Sequence, residues 1–269
     1  DYLQSFQKIA ENIEDAHSID DWYEIMDDLT DWSVKFDNLG DQGLGQLLDE
    51  QWKEANQQFT KFIEAHYENW LHSDNKPLMS PEIIPTHIQE KLQNDEKIVL
   101  IIIDCLRADQ LKAMTSLLAQ IFHIDTKYYL SILPTATPYS RNAIFSGYYP
   151  NELQNEYGEL WQKMWQDEYS MNRFENQFLR DQLNRLGLES KSIHYHKVIT
   201  YEEGNKLETR IGEFKEVDLL AIVINFVDIL GHSRSESNIL QEMVPDESAY
   251  RKAVCSWLEN AWLLNVLEK

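Results

Sequence analysis

No apolar run in this chain approaches the roughly twenty residues that a helix needs to cross a bilayer, so none of its 269 residues reads as part of a membrane span. Cysteine is almost absent. Cys105 and Cys255 alone cannot build a disulfide framework, and their scarcity suits a reducing, cytoplasmic compartment. The opening stretch Asp1-Tyr-Leu-Gln-Ser-Phe-Gln7 has neither the basic region nor the apolar core of a signal peptide, and no initiator Met, which suggests a piece of a longer chain. Cations are scarce as well: 24 Lys+Arg face 46 Asp+Glu, a formal charge of −22. Such a field disfavours general binding to nucleic acid or an anionic membrane. The deficit is uneven, because residues 1–95 hold 21 acidic and only 6 basic side chains. A small phosphate-bearing substrate would need local cations, most simply metal ions, to offset that field. There is no internal repeat and no low-complexity tract.

What is present divides into two parts. Residues 1–75 show helical periodicity: Leu3, Phe6, Ile9 and Ile13 share one face, and Trp22, Ile25, Met26, Leu29, Trp32 and Phe36 recur at three- and four-residue spacing. Ser18-Ile-Asp-Asp21 would cap the second helix, and Asp37-Asn-Leu-Gly40 would stop it. A third run carries Leu48, Trp52, Ala55, Phe59, Phe62, Ile63 and Trp70. The expectation is a small antiparallel all-α bundle over 1–75. Prolines at 77, 81 and 85 then break the pattern, and 76–96 reads as a linker.

Beyond it, Lys97–Asp104 is a β-branched run ending in one carboxylate, the pattern of a strand buried on both faces of a parallel sheet. Residues 107–121 read as a helix, Lys127–Leu133 as a strand, 172–187 as a helix and Ser190–His196 as a strand. Asp218–Asp228 reads as another buried strand, and Glu247–Lys269 as one helix. Alternating strands and helices predict an α/β fold over 97–269, a mainly parallel sheet flanked by helices.

In such sheets the carboxyl ends of the strands line the ligand crevice. Asp104 stands at one such end, although an Asp there also serves as a helix cap. Asp228 and His232, four apart with a Gly between, are placed on a loop leaving another, where a carboxylate and an imidazole can converge on a cation such as Zn²⁺. Thr137 precedes Pro138 at the apparent start of a helix. A hydroxyl there faces backbone N–H groups that favour a phosphoryl oxygen, and a neighbouring metal would activate it as a nucleophile. Arg141 and Ser140 could then hold phosphate oxygens. Thr135 competes with Thr137, and spacing does not choose between them. His194 and His196 flank a Tyr at a strand end and read as structural or exposed, and Cys105 reads as packed and pointing away from Asp104.

Ile-Asp104-Cys-Leu-Arg107, Pro134-Thr-Ala-Thr137, Gly147-Tyr-Tyr-Pro150 and Val-Asp228-Ile-Leu-Gly-His232 together resemble the alkaline phosphatase superfamily, and within it the PglZ domain. With its helical lead-in, the chain is similar to PorX-type response regulators. The resemblance implies two Zn²⁺ ions, one on Asp104 and Thr137 and the other on Asp228 and His232. It makes Thr137 the nucleophile, with Thr135 supporting, and leaves Ser140 in doubt because the diesterase branch has Asn there. It implies a phosphodiesterase acting on nucleotides or short oligonucleotides through a phospho-threonine, and it disfavours sulfate esters. It further implies a receiver domain in the parent chain, a sigma factor or sensor kinase as partner, a role in type IX secretion, and a homodimer. A non-catalytic regulatory output module is the alternative. The family completes its metal sites with a later Asp-His-Gly and a further His. Neither motif follows here, so the rest of the domain is expected beyond Lys269, with metal weak or absent and little activity in this stretch.

Overall fold

The computed structural model describes residues 2–37, 42–166 and 171–269. Three helices come first: α1 (Tyr2–Asp15), α2 (Ile19–Phe36) and α3 (Gln42–Leu71). Ser18 accepts a hydrogen bond from Asp21 N at 3.2 Å, and the Asp21 carboxylate accepts from Ser18 N at 2.8 Å, a reciprocal cap that sets where α2 begins. The stop signal expected at 37–40 lies largely outside the described residues. Phe6, Ile9, Ile13, Trp22, Ile25, Leu29, Leu48, Ala55 and Phe62 form the bundle core. Leu3, placed on the same face by periodicity, is 68% exposed, because the core contact of α1 begins a turn later.

The stretch read as a linker is partly helical. Short helices α4 (Ile83–His87) and α5 (Gln89–Gln93) follow a 3₁₀ turn at Ser80–Glu82. Their Ile84, Ile88 and Leu92 are buried in the core of the second part. Strand β1 (Ile98–Ile103) leads to α6 (Ala108–Leu118), α7 (Thr137–Ser146), α8 (Pro150–Glu156), α9 (Gly158–Met164) and α10 (Glu175–Arg185). Then come β2 (Ile193–Val198), α11 (Tyr201–Arg210), β3 (Leu219–Ile224), α12 (Phe226–Glu236), α13 (Asn238–Met243), α14 (Glu247–Asn260) and α15 (Trp262–Glu268).

The sheet is parallel, in the order β1-β3-β2, and the register brings Ile103 opposite Ile224 and Lys197 opposite Val223. Central β3 is buried along its whole length. Side-chain alternation divides it: Leu220, Ile222 and Ile224 join Val254, Leu258 and Trp262 on one face, while Leu219, Ala221 and Val223 join Phe145, Phe178 and Leu92 on the other.

Four expectations are corrected. The run ending at Asp104 is an edge strand, with Val99 54% exposed, and full burial belongs to β3. Lys127–Leu133 is not a strand but a single bridge from Leu130 to Met79, since among the described residues no further strand lies alongside to extend the ladder. Asp228 and His232 lie on α12, not on a loop, because β3 ends at Ile224 and the chain turns helical at once. The last helix is two, interrupted where Ala261 takes up extended backbone and lets Trp262 turn into the core.

Candidate functional site

The strand ends collect the chemistry. Asp104 follows β1 directly, and its backbone N–H bonds to Ile224 O at 2.9 Å, which ties the turn to the end of β3. Its side chain is nearly buried. Oδ2 accepts from Arg141 Nη1 at 2.6 Å and from Asn225 Nδ2 at 3.4 Å, and Oδ1 lies 3.5 Å from the Thr137 hydroxyl, which donates to it. Burial pushes the Asp104 carboxyl above its ordinary range. Arg141 pulls it back, and Asp228 pushes it up again.

Thr137 is the first residue of α7, as the Thr-Pro pair predicts, and its carbonyl accepts from Asn172 Nδ2 at 3.2 Å. The helix terminus offers fewer donors than a typical one. Pro138 has no N–H, and the N–H groups of Tyr139 and Ser140 are bonded to Ala136 O. The Ser140 hydroxyl donates to Thr135 O at 2.9 Å and to Ala136 O at 3.3 Å, so it braces the loop before α7. Thr135 sits on that loop, exposed.

Arg141 is buried, at 4% exposure, and committed. Besides Asp104, its Nε donates to Glu175, which is completely buried at the start of α10 and also accepts from Tyr195 Oη at 2.6 Å. A chain of groups therefore runs Asp104–Arg141–Glu175–Tyr195. The Arg141 guanidinium holds these two carboxylates, where the sequence pattern suggested a hand for phosphate.

Asp228 stands in the first turn of α12. Its Oδ1 is 3.4 Å from His232 Nε2, one helical turn on, and accepts from Cys105 Sγ at 3.1 Å. His232 is well exposed, with 76% of its side chain in solvent. Cys105 is a further correction: it is exposed, in a left-handed turn at φ +60°, and reaches Asp228 instead of packing away. Burial, then the Asp228 hydrogen bond, pushes its thiol up to about 12. His194 and His196 are partly buried on β2, with His194 stacked on Phe214 at 4.1 Å.

Two donor pairs result, Asp104 with Thr137 and Asp228 with His232. Carboxylate, hydroxyl and imidazole are donors that suit a hard-to-borderline dication, and the one-turn spacing on α12 lets its pair face one ion. Among the described residues no group of three or more His, Cys, Asp or Glu gathers about one point. The donor types fit a metal as part of a ligand set.

Pattern reading passed over Glu175, Tyr195, Asn225 and Lys197. A Glu in an amphipathic helix looks solvated, and nothing local marks it as the partner of an Arg 34 positions away. Asn225 carried the one available signal, a polar residue interrupting the run from β3 into Phe226.

Comparison with known proteins agrees with this layout. Residues 83–266 match the family described as the BREX system PglZ alkaline phosphatase-like domain. Residues 1–71 match the PorX response regulator linker domain. No curated protein matches the chain. Among the described residues, no helix is long and apolar enough to cross a membrane.

Proposed function

From the premise that the chain belongs to the PglZ alkaline phosphatase-like family, we propose that it is the phosphoesterase-like output part of a response regulator and that its parent cleaves phosphodiesters of nucleotides or short oligonucleotides. The observation that carries the reading is the Thr137 hydroxyl, at the start of α7 and 3.5 Å from a buried carboxylate at a strand end, beside the Asp228–His232 pair. Thr137 Oγ attacks phosphorus and gives up its proton toward Asp104. The bond to the leaving alcohol breaks, and a phospho-threonine forms. Water then cleaves the new P–O bond and restores the hydroxyl. Arg141 and Asn225 hold Asp104 in position throughout. Zinc is the cation proposed, on Asp104 with Thr137 and on Asp228 with His232, and when bound it would neutralise developing charge and make the hydroxyl more acidic. Thr135 shapes the loop, and Ser140 braces it.

In the full-length protein, Thr137→Val abolishes hydrolysis of bis-p-nitrophenyl phosphate. Retained turnover refutes the assignment. The match of residues 1–71 to a response regulator linker favours a second reading, a module that signals through a receiver domain and protein partners without chemistry. Metal analysis separates the two. About two zinc per chain with chelator-sensitive turnover supports the enzyme. An Asp228→Ala, His232→Ala variant with unchanged partner binding and no metal in the wild type supports the module.

A further inference from the structure

A phosphodiester brings negative charge to a site that already holds Asp104 and Asp228, on a chain of net charge −22. A cation of the protein at its non-bridging oxygens would offset that charge beside any metal. Arg141, the choice suggested by its place after Thr137, is occupied by Asp104 and Glu175.

The alternation of β2 supplies another. Tyr195 and Lys197 are two apart on that strand, so their side chains leave the same face of the sheet. The Tyr195 hydroxyl reaches Glu175, which identifies this face as the one carrying the Glu175–Arg141–Asp104 chain. Lys197 stands one step nearer the carboxyl end. It pairs with Val223, the position before the one that pairs with Ile103, and Asp104 follows Ile103. The sheet thus brings a lysine and an aspartate 93 positions apart to one rim.

Lys197 is partly buried, yet among the described residues its ammonium has no hydrogen bond or ion pair. A cation withdrawn from water without a partner is costly, and Glu175 is already satisfied by Arg141 and Tyr195. Burial pulls the ammonium below the ordinary lysine range, while the Glu175 carboxylate opposes that pull. A compact charge with three rotatable donors on a flexible stem suits a phosphate group that changes shape during reaction.

We propose that Lys197 is the anion-binding residue of this site, holding the non-bridging oxygens of a phosphodiester while Arg141 positions Asp104. The proposal rests on the phosphoesterase reading above for its substrate, but the anion site can be tested without turnover.

The experiment uses the full-length protein at matched zinc content, as wild type, Lys197→Met and Lys197→Arg. Binding of inorganic phosphate is measured by titration calorimetry, and kinetics with bis-p-nitrophenyl phosphate. Loss of one charged hydrogen bond predicts that Lys197→Met weakens phosphate binding and raises KM by about tenfold or more, and that Lys197→Arg restores most of both. Phosphate also slows acetylation of Lys197 in the wild type, read by mass spectrometry, which decides the matter even if Lys197→Met folds poorly. Unchanged phosphate affinity and KM in Lys197→Met, or no protection of Lys197, overturns the proposal and leaves the esterase reading standing. Lys197-dependent phosphate binding in a wild type that hydrolyses nothing supports the anion site and removes the esterase reading.

Discussion

Arg141 and Glu175 show how far a side chain's surroundings decide its role. Arg141 stands four residues after the nucleophile candidate, where an Arg is naturally read as a phosphate ligand. Glu175 closes that option by taking its Nε. The pair is almost fully withdrawn from solvent, at 4% and 0% side-chain exposure. Removing one member of such a pair leaves an uncompensated charge, whereas forming it contributes little. Glu175→Ala therefore lowers stability by about 3 kcal/mol, less than the extreme because Arg141 keeps Asp104. Urea unfolding measures this, and a loss well under about 1 kcal/mol would show that the network is slack. Thr137, Asp104, Asp228 and His232 were recognisable as residues. That Cys105 touches Asp228, and that Ser140 is spent on its own loop, were not, because each depends on a turn geometry that spacing does not encode.

At the scale of elements, periodicity carried α6 and α10 close to their observed bounds, because each buries one face, and local start signals, the Ser18 cap and the Thr-Pro pair, marked where α2 and α7 begin. It failed where neighbours override local preference. Lys127–Leu133 has strand composition but gains only one bridge, and Glu247–Lys269 has unbroken helical pattern but bends at Ala261. That bend brings α15 onto α11, where Gly204 lies against the buried Trp262. A methyl group at position 204 would fall 1.8 Å from Trp262 Nε1. Helix propensity favours Ala over Gly by about 1 kcal/mol, but overpacking against a fixed indole costs about 1–3 kcal/mol and wins. Gly204→Ala is thus destabilising, and a raised melting temperature would show that Trp262 is not held where α15 places it. Gly147 ends α7 at φ +69°, a conformation in which Gly is cheap, and so turns the chain into Tyr148 and Tyr149.

For the whole molecule, the question is how the bundle and the sheet domain are joined. Arg251 on α14 reaches Asp37 at the end of α2 (2.5 Å) and Asp109 on α6 (2.8 Å), with all three side chains at or below 11% exposure. Tyr128 donates to Asp27 at 2.6 Å and stacks on Tyr23, and Lys112 pairs with Asp31, adding contacts along α2. Burial pushes the Asp109 carboxyl up, but hydrogen bonds from Arg107 and Arg251 more than offset it and hold it below the ordinary range. A folded-state value below the unfolded one, about 3.9, means this stability is complete above that pH and is lost as pH falls through the lower folded value. Arg251→Met is expected to cost about 3 kcal/mol at neutral pH and to flatten the acid limb of the stability curve. Denaturant unfolding from neutral pH down to the acid range measures both, and an acid limb as steep in the variant as in the wild type would place the coupling elsewhere.

Two kinds of information separate across these scales. The sequence by itself determined the parts that depend on neighbours along the chain: the apolar periods that make helices and strands, the Ser18 cap, the Thr-Pro helix start and the motifs that follow β1 and β3. Burial of a stripe or a strand leaves its mark in every few residues, so local pattern suffices. Only the tertiary structure decided which charges meet. Arg141 with Glu175, Lys197 above them, Cys105 with Asp228 and Arg251 with Asp37 join positions tens to hundreds of residues apart. Their pairing depends on strand order, register and the packing of helices far apart in the chain, none of which leaves a local trace.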